Sequence, residues 1–202
     1  MENNFNELID SFSENRVGIT NDFLTSALAG NLRNNLIDKY NSDLLLSAGT
    51  GNRSSVVQDQ SYRSDKIYWL DKSYNDPFEN EFFTLIDTFI GHLNDTCYTG
   101  ITDYEFHYTL YETGSFYKKH LDQFRNDSSR KYSMVMYLNE GWQDSDGGEL
   151  CIHHTDQRIQ NISPQNGRSV FFQSDELAHE VLPTRKPRMS ITGWLMRRSS
   201  TF

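Results

Sequence analysis

His120-Leu121-Asp122 is the first stretch whose residue types and spacing could do chemistry. Residues two apart on an extended strand project to the same side. An imidazole and a carboxylate would then stand together, one neutral nitrogen beside one hard anionic oxygen. A further histidine would complete two His and one carboxylate on a single face of a metal. Such a set holds Fe(II) and leaves positions open for O2 and an organic cosubstrate. His179 lies 57 residues after Asp122, beyond several strand-like segments, and a sandwich could return it beside His120. A His-x-Asp alone also arises as a surface pair, so its weight comes from its company.

Arg188 is part of that company, nine residues after His179. In 188–194 alternation puts Arg188, Ser190, Thr192 and Trp194 on one face, and Met189, Ile191 and Gly193 on the other. An inward arginine requires an anionic partner, because a buried unpaired charge is very costly. A dicarboxylate ligand would supply one in a fork geometry that lysine cannot match. A protein carboxylate would serve as well. The remaining histidines carry no such pattern. His153 and His154 fall at a strand end before a polar loop and are expected to be exposed. His92 in a helix and His107 on a strand have no spaced partner. Asp144 and Asp146 suit the turn before Gly147-Gly148.

These groups need a scaffold. In 22–40, Leu24, Leu28, Leu32 and Leu36 recur every four residues, predicting a helix with one apolar stripe. A second helix is predicted over 77–94, with Asp76 as cap, Pro77 in the first turn and Glu79 closing a capping box. Phe78, Phe82, Ile86, Ile90 and Leu93 line one face of it. After residue 100 the apolar period becomes two. Segments 105–111, 132–138, 149–153, 169–173 and 188–196 read as strands, separated by turn-forming clusters. Helices first and short strands later suggest helices packed on a β-sandwich or jelly roll.

The bulk properties agree with one globular domain. The 202 residues are 36% hydrophobic and 13% aromatic, enough for a sizeable core. The net charge of −9 argues against nonspecific nucleic-acid binding. Residues 1–117 hold 7 Lys/Arg against 18 Asp/Glu, whereas 118–202 hold 12 against 10. The half with the candidate site is therefore the less acidic. No apolar run suits a membrane span, and the acidic, amphipathic start lacks a secretory pattern. Two cysteines make no disulfide framework, so a reducing, cytoplasmic compartment is expected.

Five ordered motifs complete the reading: Arg63-Ser64-Asp65-Lys66-Ile67-Tyr68-Trp69, Tyr117-Lys118-Lys119-His120-Leu121-Asp122, Tyr137-Leu138-Asn139, Asp146-Gly147-Gly148-Glu149-Leu150, and His179-Glu180-Val181-Leu182-Pro183 running on to Arg188–Trp194. From about Arg63 to Trp194 the chain resembles the 2-oxoglutarate/Fe(II) prolyl 4-hydroxylases of the hypoxia-sensing type and their bacterial relatives. The resemblance implies a mainly β fold with supporting α: a double-stranded β-helix (jelly roll) core with N-terminal helices packed on one sheet. It implies a single dioxygenase domain over 1–202, with helical support and first strands in 1–99 and the catalytic core in 100–198. His120, Asp122 and His179 would bind Fe(II). Arg188 would pair with the distal carboxylate of 2-oxoglutarate and Tyr137 would donate a hydrogen bond to it, while Tyr111 and Thr192 line the cosubstrate pocket. Tyr117, Trp194, Trp69, Arg130 and Asp65 would stand near a peptide entrance, with Arg130 and Asp65 paired to shape a loop. O2 is the second cosubstrate and ascorbate the expected reductant.

The implied substrate is a prolyl residue of a protein, such as a translation factor or a ribosomal protein, with no obligate protein partner. A free amino acid or other small molecule is the alternative substrate. A non-catalytic jelly-roll binding module is the remote one. The turn Glu112-Thr113-Gly114-Ser115-Phe116 is shorter than in the animal oxygen sensors.

Overall fold

The computed structural model describes residues 2–49, 59–123 and 127–198. Helix α1 (Glu2–Asn15) turns Phe5 and Leu8 inward and leads into strand β1 (Val17–Thr20). Gly18 lets the two meet, because a Cβ there would lie 2.5 Å from the Leu8 carbonyl oxygen. Helix α2 spans Ser26–Asn41 and starts later than the leucine spacing predicts. Thr25 sets the start: it is extended, and its hydroxyl accepts from the Leu28 N–H. Phe23 and Leu24 reach the core from outside the helix.

Helix α3 (Pro77–Cys97) begins as expected, with the Asp76 carboxylate accepting from the Phe78 and Glu79 N–H groups. Glu79 does not close the predicted capping box. Its side chain is buried without a hydrogen bond and faces the Lys39 ammonium 3.3 Å away. Packing of α3 on α2 turns it inward, away from the helix end.

The strands follow in the order β2 (Leu46–Ser47), β3 (Lys66–Trp69), β4 (Asp103–Tyr111), β5 (Tyr117–His120), β6 (Arg130–Tyr137), β7 (Leu150–His153), β8 (Ile159–Ile162), β9 (Ser169–Gln173), β10 (Ala178–Val181) and β11 (Arg188–Met196). They form an antiparallel seven-stranded sheet, β1-β9-β6-β11-β4-β3-β2, and a four-stranded sheet, β5-β10-β7-β8. The five segments read as strands from their alternation all appear, with bounds shifted by at most two residues. The strands missed have four residues or fewer, and of strands that short only β7 was found.

Alternation divides the core in two. Phe106, Tyr108, Leu110, Met134, Met136, Phe171 and Ile191 face the helices. Tyr111, Val135, Tyr137, Val170 and Phe172 face the small sheet. Each large side chain so buried contributes about 1.5–3 kcal/mol. The result is the expected jelly roll with helices on one sheet. Gly193 permits a close approach within it: a Cβ there would run into the Phe106 ring. Among the described residues no helix is long and apolar enough to cross a membrane.

Candidate metal centre and cosubstrate cleft

His120 on β5 and His179 on β10 are direct cross-strand partners. That register brings two imidazoles from distant parts of the chain to the inner face of the small sheet, with ring centres 4.3 Å apart. Asp122 follows just past β5, and the Leu121 between points outward, 48% exposed. His120 Nε2 lies 3.4 Å from Asp122 Oδ1, and His179 Nε2 lies 3.5 Å from Asp122 Oδ2. Each Nδ1 faces a backbone carbonyl two residues back: Lys118 at 2.7 Å for His120, Leu177 at 3.0 Å for His179. A carbonyl only accepts, so the proton sits on Nδ1 and the Nε2 lone pairs face the carboxylate.

Asp122 is oriented from behind. Ser133 Oγ donates to its Oδ2 at 2.7 Å and lies 2.9 Å from Ser174 Oγ. Burial raises the Asp122 carboxyl, but the two imidazoles when they carry a proton, and the Ser133 hydroxyl, outweigh it and hold it well below the usual carboxylate range. Burial lowers His179 to about 4. Neutral imidazoles and an ionised carboxylate are the protonation states a metal ion requires, and the three side chains together could hold one.

Arg188, Thr192 and Trp194 line the same cleft from β11, as the alternation predicted. Arg188 is 1% exposed. Its Nε donates to the Gly148 carbonyl at 2.8 Å. Gly148, at φ +68°, leaves only 3.1 Å between its would-be Cβ and Arg188 Cδ, so a side chain there would push the arginine away. The guanidinium carbon lies 4.9 Å from the ring centres of both Tyr111 and Tyr137. Among the described residues no carboxylate pairs with it. The Tyr137 hydroxyl is buried beside it without a well-formed hydrogen bond. A buried cation without a carboxylate counter-charge, beside a buried phenol that lacks a well-formed hydrogen bond, calls for an anionic ligand. The cleft therefore fits a carboxylate-bearing cosubstrate at one end and a metal at the other.

Around the mouth, Tyr117 stacks on His120 with ring centres 3.6 Å apart, and the Arg63 guanidinium covers the tyrosine at 4.1 Å. The expected Arg130–Asp65 pair does not form. Asp65 forks with Arg63 at 2.8 and 2.6 Å, and Arg130 forks with Glu105 at 3.0 and 2.6 Å. The sheet order explains this. Asp65 precedes β3 and Arg130 opens β6, and β11 and β4 lie between them, a span of about 14 Å. Arg130 also lies 3.4 Å over the Trp194 ring and donates to the Asp122 carbonyl at 3.2 Å. Trp69, 44% exposed, sits above the cleft, 4.9 Å from the His107 ring and 6.3 Å from Trp194.

His153 and His154 depart from the expected exposure, and His107 takes a place that its spacing left open. His107 is buried, lines the cleft, and hydrogen-bonds through Nδ1 with Thr109 Oγ1 at 2.9 Å. It alternates with Phe106 and Tyr108, which face the helices, so its ring points the other way, toward the side that the small sheet covers. His153 is half-buried, 2.8 Å from Glu180, and His154 is buried, 2.8 Å from Gln160. Cross-strand partners on β8 and β10 cover what a lone strand end would expose. Ser133 and Ser174 had no sequence signal at all.

Burial, with the Arg63 charge added, lowers His107 to about 4. An unfolded histidine takes up its proton near 6.5, so the stability tied to neutral His107 is present above that pH and is lost as pH falls toward 4. A displacement from 6.5 to about 4 corresponds to about 3 kcal/mol. The metal-free protein is therefore expected to lose stability on acidification from pH 6.5 to 4, and His107→Gln to flatten that fall by close to one proton. Denaturant titrations at several pH values check it; parallel slopes for both proteins would count against it.

The comparisons with known proteins point the same way. Residues 106–196 match the 2OG-Fe(II) oxygenase superfamily. A prolyl-4-hydroxylase from Pseudomonas putida is 32% identical, with a TM-score of 0.87, over 96% of this chain and 100% of that one. A Trichoplax adhaerens prolyl hydroxylase, solved with a hypoxia inducible factor peptide fragment, superimposes at a TM-score of 0.85 with 24% identity, over 97% and 90% of the two chains. A Phytophthora capsici prolyl 4-hydroxylase shares the fold at 0.75 and 22% identity, over 96% of this chain and 64% of that one. Identity across the full length of the bacterial enzyme, on a cleft built for a metal and an anion, makes this chain a member of the 2OG-Fe(II) oxygenase superfamily, a dioxygenase that uses Fe(II), 2-oxoglutarate and O2.

Proposed function

We propose that this dioxygenase hydroxylates a prolyl residue of a protein. The observation that carries the proposal is its 32% identity with the Pseudomonas putida prolyl-4-hydroxylase along that enzyme's whole length. His120, Asp122 and His179 would hold the iron. Arg188 would grip the distal carboxylate of 2-oxoglutarate, with the Tyr137 hydroxyl donating to it and Tyr111 and Thr192 walling the pocket. Iron, 2-oxoglutarate and O2 together supply the oxidising power that turns a C–H bond into C–OH, leaving succinate and CO2.

The chain's own part is positioning and exclusion of water. Tyr117 and Trp194 flank the triad, and Trp69 offers a flat apolar face for a prolyl ring at the mouth. Asp65 and Arg130 act one step removed. Asp65 holds Arg63 over Tyr117, and Arg130 holds Trp194 and the Asp122 backbone. One catalytic domain over 1–202 serves this chemistry, residues 1–99 supporting a core in 100–198. A reducing, cytoplasmic setting suits Fe(II) and the two free cysteines.

The test supplies Fe(II), 2-oxoglutarate, ascorbate and air, with elongation factor Tu and ribosomal proteins as first substrates. Peptide mass spectrometry should find one oxygen added to a proline, with one succinate formed per event. Hydroxylation confined to a free amino acid, or succinate without any modified proline, would reject the prolyl reading.

A further inference from the structure

The outer face of the small sheet carries a cluster that the catalytic cleft does not use. His179 points inward, so its neighbour Glu180 points outward. Glu180 is the cross-strand partner of Cys151 on β7, and His153 lies two residues along β7 on that same face. His153 Nε2 is 2.8 Å from Glu180 Oε1 and 3.7 Å from Cys151 Sγ. One donor atom from each side chain lies within 4.8 Å of the other two. Cys151 is buried, and His153 and Glu180 are half-buried.

We propose that Cys151, His153 and Glu180 form a second divalent-metal site, suited to Zn2+, on the opposite face of the sheet from the iron triad. The ligand chemistry separates the two sites. A thiolate with an imidazole and a carboxylate favours Zn2+, whereas two imidazoles and a carboxylate without sulfur suit Fe(II). The spacing also fits. Tetrahedral Zn2+, with bonds of about 2.3 Å to sulfur and 2.0–2.1 Å to nitrogen, sets the S and N donors about 3.6 Å apart. The Cys151–His153 separation is 3.7 Å. Nitrogen and oxygen donors would stand about 3.3 Å apart, so the 2.8 Å His153–Glu180 contact opens by about half an ångström when a cation replaces the shared proton. Donors on two paired strands need little reorganisation to reach this geometry. Burial and the Glu180 carboxylate raise the Cys151 thiol above its ordinary range and Lys119 on β5 offsets only part of this, so the thiolate forms as the cation binds and displaces the proton. Water completes the coordination.

Cobalt(II) is the probe, because a thiolate ligand gives it a near-ultraviolet charge-transfer band and the iron triad contains no sulfur. Wild-type protein titrated without oxygen should develop the band to saturation, and Zn2+ should abolish it. Cys151→Ser should lose the band. His153→Gln should weaken cobalt binding at this site by about tenfold or more. Cys97→Ser and Asp122→Asn should keep the band, so a failed iron site and a failed zinc site are distinguishable. No band in the wild type, or one that survives Cys151→Ser, overturns the proposal. If Cys151→Ser does not fold, the half-exposed His153→Gln decides, and wild-type affinity there overturns it.

Discussion

Asp122→Asn is expected to leave a folded protein that no longer holds iron. The substitution keeps the size and the Ser133 contact but removes the only negative charge among the three ligand side chains. Partners outside a metal's ligand set are typically worth 10–100-fold in affinity, so loss of a ligand charge should cost more than about 100-fold. Hydroxylation should fall to background. Anaerobic addition of Fe(II) and 2-oxoglutarate, read by the visible charge-transfer band, measures binding directly, and circular dichroism confirms the fold. Ser133→Ala provides the graded case. It frees Asp122 Oδ2 from its 2.7 Å hydrogen bond while keeping the carboxylate, so iron should bind about tenfold more weakly. If Asp122→Asn retained tight iron and turnover, the triad would not be the metal centre.

Arg188→Met should weaken cosubstrate binding severely while sparing or raising the stability of the ligand-free protein. Arg188 is buried with no carboxylate partner among the described residues, a costly arrangement that an apolar side chain of similar length relieves. The lost bond to the Gly148 carbonyl offsets part of that gain. In the loaded enzyme the same guanidinium would donate two charge-assisted hydrogen bonds, each worth about 1.5–3 kcal/mol. Their removal predicts a loss of about 10²–10⁴-fold in 2-oxoglutarate affinity. Wild type should gain thermal stability as 2-oxoglutarate is added, and Arg188→Met should not. Arg188→Lys, which keeps the charge and loses the fork, should fall between them. An Arg188→Met protein that still responded to 2-oxoglutarate would place the carboxylate site elsewhere.

Residues that declare themselves by local pattern are legible in the sequence itself. Period-two alternation identified the long strands β4, β6, β9 and β11, and with them the inward direction of Arg188, Thr192 and Trp194. Leucine spacing found α2, and the Asp76-Pro77 cap found the start of α3. The two histidines and the aspartate were legible as types, with one short spacing and one long one.

Other features depended on contacts between segments far apart in sequence. Alternation says that His107 and Phe106 face opposite ways, but not which side meets water, and the small sheet settles that. Arg130 and Asp65 were both placed near the entrance, yet strand order gave each a different partner. Ser133 and Ser174 are ordinary residues until the fold sets them behind Asp122.

The iron triad shows the division most clearly. Sequence by itself determined which groups are available, because ligand chemistry belongs to residue type, and it determined that His120 and Asp122 share a side, because strand geometry is local. Only the tertiary structure decided that His179 joins them. That depends on the β5–β10 register, in which His179 lies opposite His120, and a one-residue slip would send its ring to the other face of the sheet.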